Sequence, residues 1–288
     1  MTSPLDDLLS LLDLEQIEVN MFRGQSGDAS FQRIFGGQVA AQALIAAGRT
    51  VPAERLVHSL HAYFLRPGDP DIPVVYEVDP IRDGRSFTTR RVVAIQHGKA
   101  IFNLSASFHL HEDGIEHADP MPQVVPPETL PGVEETIEQF GPADVVWPRN
   151  LNAIDVRYVT PPVWQAAGQV DPPGSETRLW MRTAGPLPDD PLVHVCAVTF
   201  ASDITLLDAT TRGHGIATWT RSAVIASLDH AMWFHQSFRA DEWFLYTNRS
   251  PAARGARGLS SGQIFTRDGQ LVVSVVQEGL IRQPRPTG

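Results

Sequence analysis

The chain has 288 residues, 42% hydrophobic and 19% charged, and carries a net charge of −10. These proportions belong to a globular protein and exclude disorder. The acidic balance excludes a nucleic-acid footprint and a polybasic membrane patch. The single cysteine, Cys196, excludes an intrachain disulfide and fits a reducing compartment.

The first segment, "MTSPLDDLLSLLDLEQIE", reads as an amphipathic helix with Ser3 as N-cap and Pro4 at the first helical position. It has acids where a signal peptide needs bases, and no apolar run approaches the roughly 20 residues of a membrane span. A cytoplasmic protein is expected. Residues 36–50, "GGQVAAQALIAAGRT", form a predicted core helix with Val39, Ala43, Leu44 and Ala47 along one stripe. A long strand in "HAYFLRPGDPDIPVVYEV" follows, then a hairpin in "RDGRSFTTRRVVAIQHGKAIFNLSASF" that turns at His97-Gly98.

Prolines and acids crowd residues 109–150, leaving room for one short helix near 132–140; this is the clear linker. Beyond it the pattern repeats. "DDPLVHVCAVTFASD" (189–203) is rich in β-branched residues, which favours strand. The Asp190-Pro191 start signal and the length favour a helix, and one so apolar must be buried. "HAMWFHQSFRADEWFLYTN" and "ARGARGLSSGQIFTRDGQLVVSVVQEG" then supply a second long strand and a second hairpin, turning at the two residues Asp268-Gly269. The last residues, "RQPRPTG", are expected to fray.

An antiparallel sheet wrapped around one buried helix, made twice, is an α+β architecture, and the double hot-dog fold matches it. The predicted division is residues 1–115 for the first repeat, 116–150 for the Pro-rich acidic linker and 151–288 for the second repeat. Superposing the hairpin turns sets Ala106 opposite Gln277. In the last strand Leu271, Val273 and Val275 share one face, and the next residue on that face is Gln277. A carboxamide stands where the alternation asks for another valine.

The sequence resembles the acyl-CoA thioesterase II family through "FRGQS", "FGGQV", "LVHSLHAYFLRPGD", "RDGRSFTTRRVVAIQHGKAIF", "FASD", "LDHAMWFH", "DEWFLY" and "DGQLVVSVVQEGL" in that order. The resemblance implies hydrolysis of fatty acyl-CoA to free fatty acid and CoA, without metal or cofactor, in a homo-oligomer. It also implies a water held by an aspartate, a hydroxyl residue and a glutamine. Carried over position by position, these are Asp203, Ser227 and Gln277. The family usually has threonine where this chain has Ser227.

The residues themselves are compatible with that chemistry. On a helical reading Asp203 ends the stripe begun by Leu192, Cys196 and Thr199, and both burial and the negative helix end raise its pKa and its strength as a base. Gln277 offers an acceptor and two donors, and Ser227 one hydroxyl. Backbone amides at Gly36 or Gly37 are candidates to polarise the substrate carbonyl. Each residue also has a plain structural role: a capping aspartate, a small serine, a glutamine bonded to a loop.

Rival motifs are weaker. "GLSSG" (258–262) spells a serine-hydrolase elbow, but a hairpin strand follows it and no histidine occurs after His235. Asp189 and His194 in "DDPLVH" keep the spacing of hot-dog enoyl-CoA hydratases, with the proline one position early. A non-catalytic acyl-CoA-binding double hot-dog is a further alternative. His109, His111 and His117 read as polar residues leaving a strand rather than a metal site. Arg66, Arg82, Arg85, Arg90, Arg91, Arg254 and Arg257 form the pool from which CoA phosphates draw partners, and Trp233 and Trp243 read as core.

Overall fold

The computed structural model describes residues 2–26, 33–142, 145–165, 168–172, 174–219 and 224–282; residues 283–288 of the tail expected to fray lie outside them. Helix α1 (Pro4–Leu12) opens with the expected cap: the Asp6 amide donates to Ser3 Oγ at 3.1 Å, and the Asp6 carboxylate accepts from the Ser3 amide. Leu5, Leu8, Leu11 and Leu12 form its buried face. Helix α2 (Gly36–Gly48) is alanine-rich and buried almost all round. Helix α4 (Pro191–Ser202) forms despite its β-branched content. Asp190 caps it by accepting from the Leu192 amide at 2.9 Å, Pro191 occupies the first position, and Cys196 to Ser202 are all buried. Burying a side chain such as Phe200 contributes roughly 1.5–3 kcal/mol, which outweighs the small propensity deficit of valine and threonine.

The strands are β1 (Glu15–Glu18), β2 (Met21–Gly24), β3 (Arg55–Phe64), β4 (Val74–Asp83), β5 (Phe87–Gln96), β6 (Lys99–Leu110), β7 (Ile154–Tyr158), β8 (Glu176–Thr183), β9 (Val224–Ser227), β10 (Asp229–Phe234), β11 (Phe244–Arg254), β12 (Arg257–Thr266) and β13 (Leu271–Arg282). They form one sheet in the order β1-β2-β4-β5-β6-β3-β10-β13-β12-β11-β8-β7, with β9 also on β13. The β3–β10 pairing joins the halves at its centre: Ala231 faces His61 and Met232 faces Leu60. Helices α2 and α4 lie together inside the curved sheet, antiparallel to each other. A Cβ on Gly37 would stand 2.5 Å from the Phe200 carbonyl, and one on Gly48 would strike Leu192 at the other end. Glycine is required at Gly37, where the obstacle is backbone, while at Gly48 the Leu192 side chain would have to move.

Several local expectations need correction. The Asp268-Gly269 turn is not a two-residue turn. The Gly269 amide donates to the Thr266 carbonyl and the Thr266 amide to the Gln270 carbonyl, with Gly269 left-handed at φ 96°, which is a turn widened by one bulged residue. A second irregularity, an extra residue at Val272 between the Phe265–Leu271 and Ile264–Val273 pairs, leaves Leu271 on the outer face, where it packs with Trp180, Trp243, Leu245 and Phe265, so the inward row starts at Val273. Trp233 is half-buried on the outer face, edge-on to His61, rather than in the core. The Pro-rich stretch runs over the outer face of the second half, where Trp180 Nε1 donates to the Val125 carbonyl and Gln263 Nε2 to Asp119 Oδ2. The expected short helix is α3 (Val133–Phe140).

Candidate active site

Asp203 stands immediately after α4, as its C-cap. Because α2 runs antiparallel to α4, the N-terminus of α2 meets that carboxylate: a Cβ on Gly36 would lie 2.7 Å from Asp203 Oδ2 and 2.8 Å from the Phe64 ring. Only glycine fits here, because a side chain would strike both groups, so the start of α2 closes directly on Oδ2. The other oxygen is fully engaged. Gln277 Nε2 donates to Oδ1 at 2.7 Å, and Ser227 Oγ donates to the same atom at 3.1 Å. Residues 24 and 74 positions from Asp203 thus converge on one oxygen.

A local irregularity makes the convergence possible. Ser227 pairs with Gly279, and Ala231 pairs with Val276. One side advances four residues while β13 advances three, so an extra residue is accommodated at the break between β9 and β10. In a regular strand Ser227 and His230 would point to opposite faces. The bulge lets Ser227 reach inward toward Asp203 while His230 is buried on the same side. On β13, Val273, Val275, Gln277 and Gly279 are buried in alternation, which places Gln277 on the helix side of the sheet.

Burial pushes the Asp203 carboxyl up from its ordinary range to about 6, against the lowering effects of Gln277, Ser227, the Gly37 amide and the Arg33 charge, in that order. The residue keeps partial surface exposure although its carboxyl group is enclosed; the enclosure governs its charge and the exposed edge gives access. A carboxyl at 6 is largely ionised at neutral pH and is a better base than an ordinary aspartate. The Gly37 amide faces this carboxylate, which removes it from the candidates for polarising a carbonyl.

Ser227→Thr is expected to keep kcat within about threefold of the parent or raise it, since the hydroxyl is retained and its rotamer stiffened. Ser227→Ala removes a donor that lowers the Asp203 pKa, so the acid limb of its kcat/KM profile should move above pH 6. Thiol-release kinetics across pH 4.5–8 measure both, at roughly half-unit steps.

The rival features separate from this cluster. "GLSSG" lies within β12 and has no helix after it. Asp189 is drawn to Arg239, while His194 accepts from the Ala240 amide at 3.0 Å and faces Asp241, so the hydratase pair is not assembled. Among the described residues no group of three or more His, Cys, Asp or Glu could hold a metal ion. Arg90 is buried and donates to Thr50 and Asp83, so it leaves the pool for CoA phosphates; Arg91 pairs with Asp79, and Arg257 with Glu278. Trp243 is buried, as expected. A cleft of about 630 Å³ between α3, β7 and Arg239 touches none of the Asp203 cluster, and its acids outnumber its two arginines, a poor receptor for anionic CoA. A second buried acid, Asp208, is pushed to about 7 by burial. It is enclosed beneath α5 (Asp208–Arg212), beside a chamber of about 10 Å³, too small for a substrate group.

A sequence profile described as "Acyl-CoA thioesterase" matches residues 153–280, and one described as "Acyl-CoA thioesterase N-terminal domain" matches residues 26–109. Acyl-CoA thioesterase 2 of Haemophilus influenzae is 38% identical, covering 98% of this chain and 99% of its own length. The chain belongs to the acyl-CoA thioesterase II family. Acyl-coenzyme A thioesterase 8 of Mus musculus is 40% identical, over 95% of this chain and 88% of that protein. The crystal structure of an acyl-CoA thioesterase II from Mycobacterium marinum superposes with a TM-score of 0.79 at 45% identity, covering 96% of this chain and 98% of that one. This thioesterase II chain is therefore a thioester hydrolase with the double hot-dog fold. Its two profile matches fall on either side of the Pro-rich stretch.

Proposed function

We propose that the chain hydrolyses fatty acyl-CoA thioesters by direct attack of water, with Asp203 as base and Gln277 and Ser227 as its positioning partners. The observation that carries the reading is the division of labour on one buried carboxylate. Oδ1 accepts from Gln277 at 2.7 Å and Ser227 at 3.1 Å, while Oδ2 lies against the glycine that opens α2. A water there donates to Oδ2 and accepts the second N–H of Gln277. Its oxygen adds to the thioester carbon as its proton passes to Asp203. Collapse breaks the C–S bond, and the CoA thiolate leaves with that proton returned. The amide at the start of α2, Gly36, is the remaining candidate to polarise the carbonyl.

The substrate is acyl-CoA, met in the cytoplasm by a homo-oligomer; no helix among the described residues is long and apolar enough to cross a membrane. A panel of acyl-CoA esters from acetyl to palmitoyl, followed by thiol release, tests the fatty-acyl class, and hydration of an enoyl-CoA tests the rival chemistry. The mechanism itself is tested by single-turnover hydrolysis in ¹⁸O water. The label is expected in the acid product on the first turnover. Unlabelled acid in that turnover would mean attack by Asp203 itself through an anhydride.

A further inference from the structure

His230 takes no part in the chemistry just described, yet it is 1% exposed and lies against the reacting cluster. Ala231 faces Val276 across the β10–β13 ladder, and Met232 faces Val275. One step further the same register sets His230 opposite Gln277. His230 Nε2 lies 2.9 Å from the hydroxyl of Ser202, the residue before Asp203. On its other side, His230 Nδ1 and Gln277 Oε1 are both buried without a hydrogen-bond partner of good geometry. They are nevertheless close enough that Gln277 raises the proton affinity of the ring, against a burial that pushes its pKa down to about 4. The ring is neutral at working pH and carries one proton.

Where that proton sits follows from satisfying the buried atoms. Ser202 Oγ has one hydrogen and two strong acceptors in reach, the Thr199 carbonyl at 3.0 Å and His230 Nε2 at 2.9 Å, besides the weakly accepting Met232 sulfur at 3.6 Å. If the hydrogen goes to Thr199, Nε2 must donate, and the bare Nδ1 then faces the bare amide oxygen of Gln277. If it goes to Nε2, the ring proton is on Nδ1 and can be donated to Oε1. The second arrangement satisfies two buried atoms by giving up one bond to a backbone carbonyl. It also fixes the amide rotamer: with Oε1 held by His230, Nε2 must point at Asp203.

The other repeat supplies an internal control. With Ala106 matched to Gln277, the residue opposite Ala106 is Leu60, which holds the place of His230. Leu60 and Ala106 are 0% and 1% exposed, an apolar pair at the position where the second half has a polar pair of 1% and 0%. The helix beside Leu60 ends in Arg49 rather than a carboxylate. The fold therefore accepts leucine here; histidine accompanies the acid and the amide.

We propose that His230 is a positioning residue for thioester hydrolysis, its Nδ1–H holding the Gln277 carboxamide in the rotamer that serves Asp203 and the attacking water. The proposal rests on the role given to Gln277 above. The test is steady-state kinetics and melting of His230→Leu, His230→Asn, Gln277→Ala and the Leu/Ala double variant. His230→Leu should lower kcat by roughly 10-fold or more through misplacement of the amide, with KM within about threefold. His230→Asn, whose amide N–H falls near the Nδ1 position, should recover most of that loss. The double variant should be no slower than Gln277→Ala alone. If Gln277→Ala is impaired while His230→Leu keeps kcat within about threefold, or if the two losses multiply, the proposal is overturned. An unimpaired Gln277→Ala overturns the underlying reading instead. Should His230→Leu fail to fold, His230→Asn and His230→Gln decide: the glutamine reaches toward Ser202 only, so equal activities, or a more active glutamine variant, refute the assignment.

Discussion

Asp203→Asn is expected to lower kcat by about 10³-fold, within the range spanned by loss of a general base. Asparagine keeps an oxygen for Gln277 and Ser227, which donate at 2.7 and 3.1 Å, so the local packing survives while the base disappears. The wild-type profile should fall as pH drops through about 6, because the base must be ionised and burial has raised it to that value. In the asparagine variant the residual rate should lose this acid limb. Stopped assays from pH 4.5 to 8, with thermal melting to confirm folding, measure both. A variant within threefold of the parent would remove Asp203 from the mechanism, and a residual rate still falling near pH 6 would assign that ionisation to another group.

Gln277→Ala comes next in size, with a drop in kcat of roughly 10²-fold, the scale of losing one oriented donor in an active site. Alanine at this place is compatible with the sheet, since Ala106 occupies the matching position of the first repeat and is buried against Leu60. The loss should therefore appear in turnover more than in stability. The acid limb should also rise, because Gln277 is the strongest of the groups that lower the Asp203 pKa. Thiol-release kinetics with a saturating acyl-CoA measure the first effect and the pH profile the second. A loss below threefold would count against the glutamine.

Much of this protein follows from interactions between near neighbours in the chain. The Ser3 and Asp190 caps, the two buried helices, the His97-Gly98 turn, the repeat and the inward carboxamide on β13 are all set by spacings of two to four residues or by single turn residues, so composition and periodicity determine them. Even the α4 helix, against its strand propensity, is marked by the Asp190-Pro191 start signal and by a length beyond the usual strand. Other features depend on pairings that local periodicity does not encode. Leu271 faces outward because β13 carries an extra residue at Val272, and Trp233 lies outside because β10 pairs with β3 in one register. The meeting of Asp203, Ser227 and Gln277 needs the antiparallel helix crossing, the β13 register and the extra residue before His230. The burial of His230 on the helix side of β10 shows in the sequence only as a histidine alternating with Met232 and Phe234. Tertiary structure decided these points, because a one-residue slip in a ladder reverses every side chain beyond it while leaving each local preference satisfied.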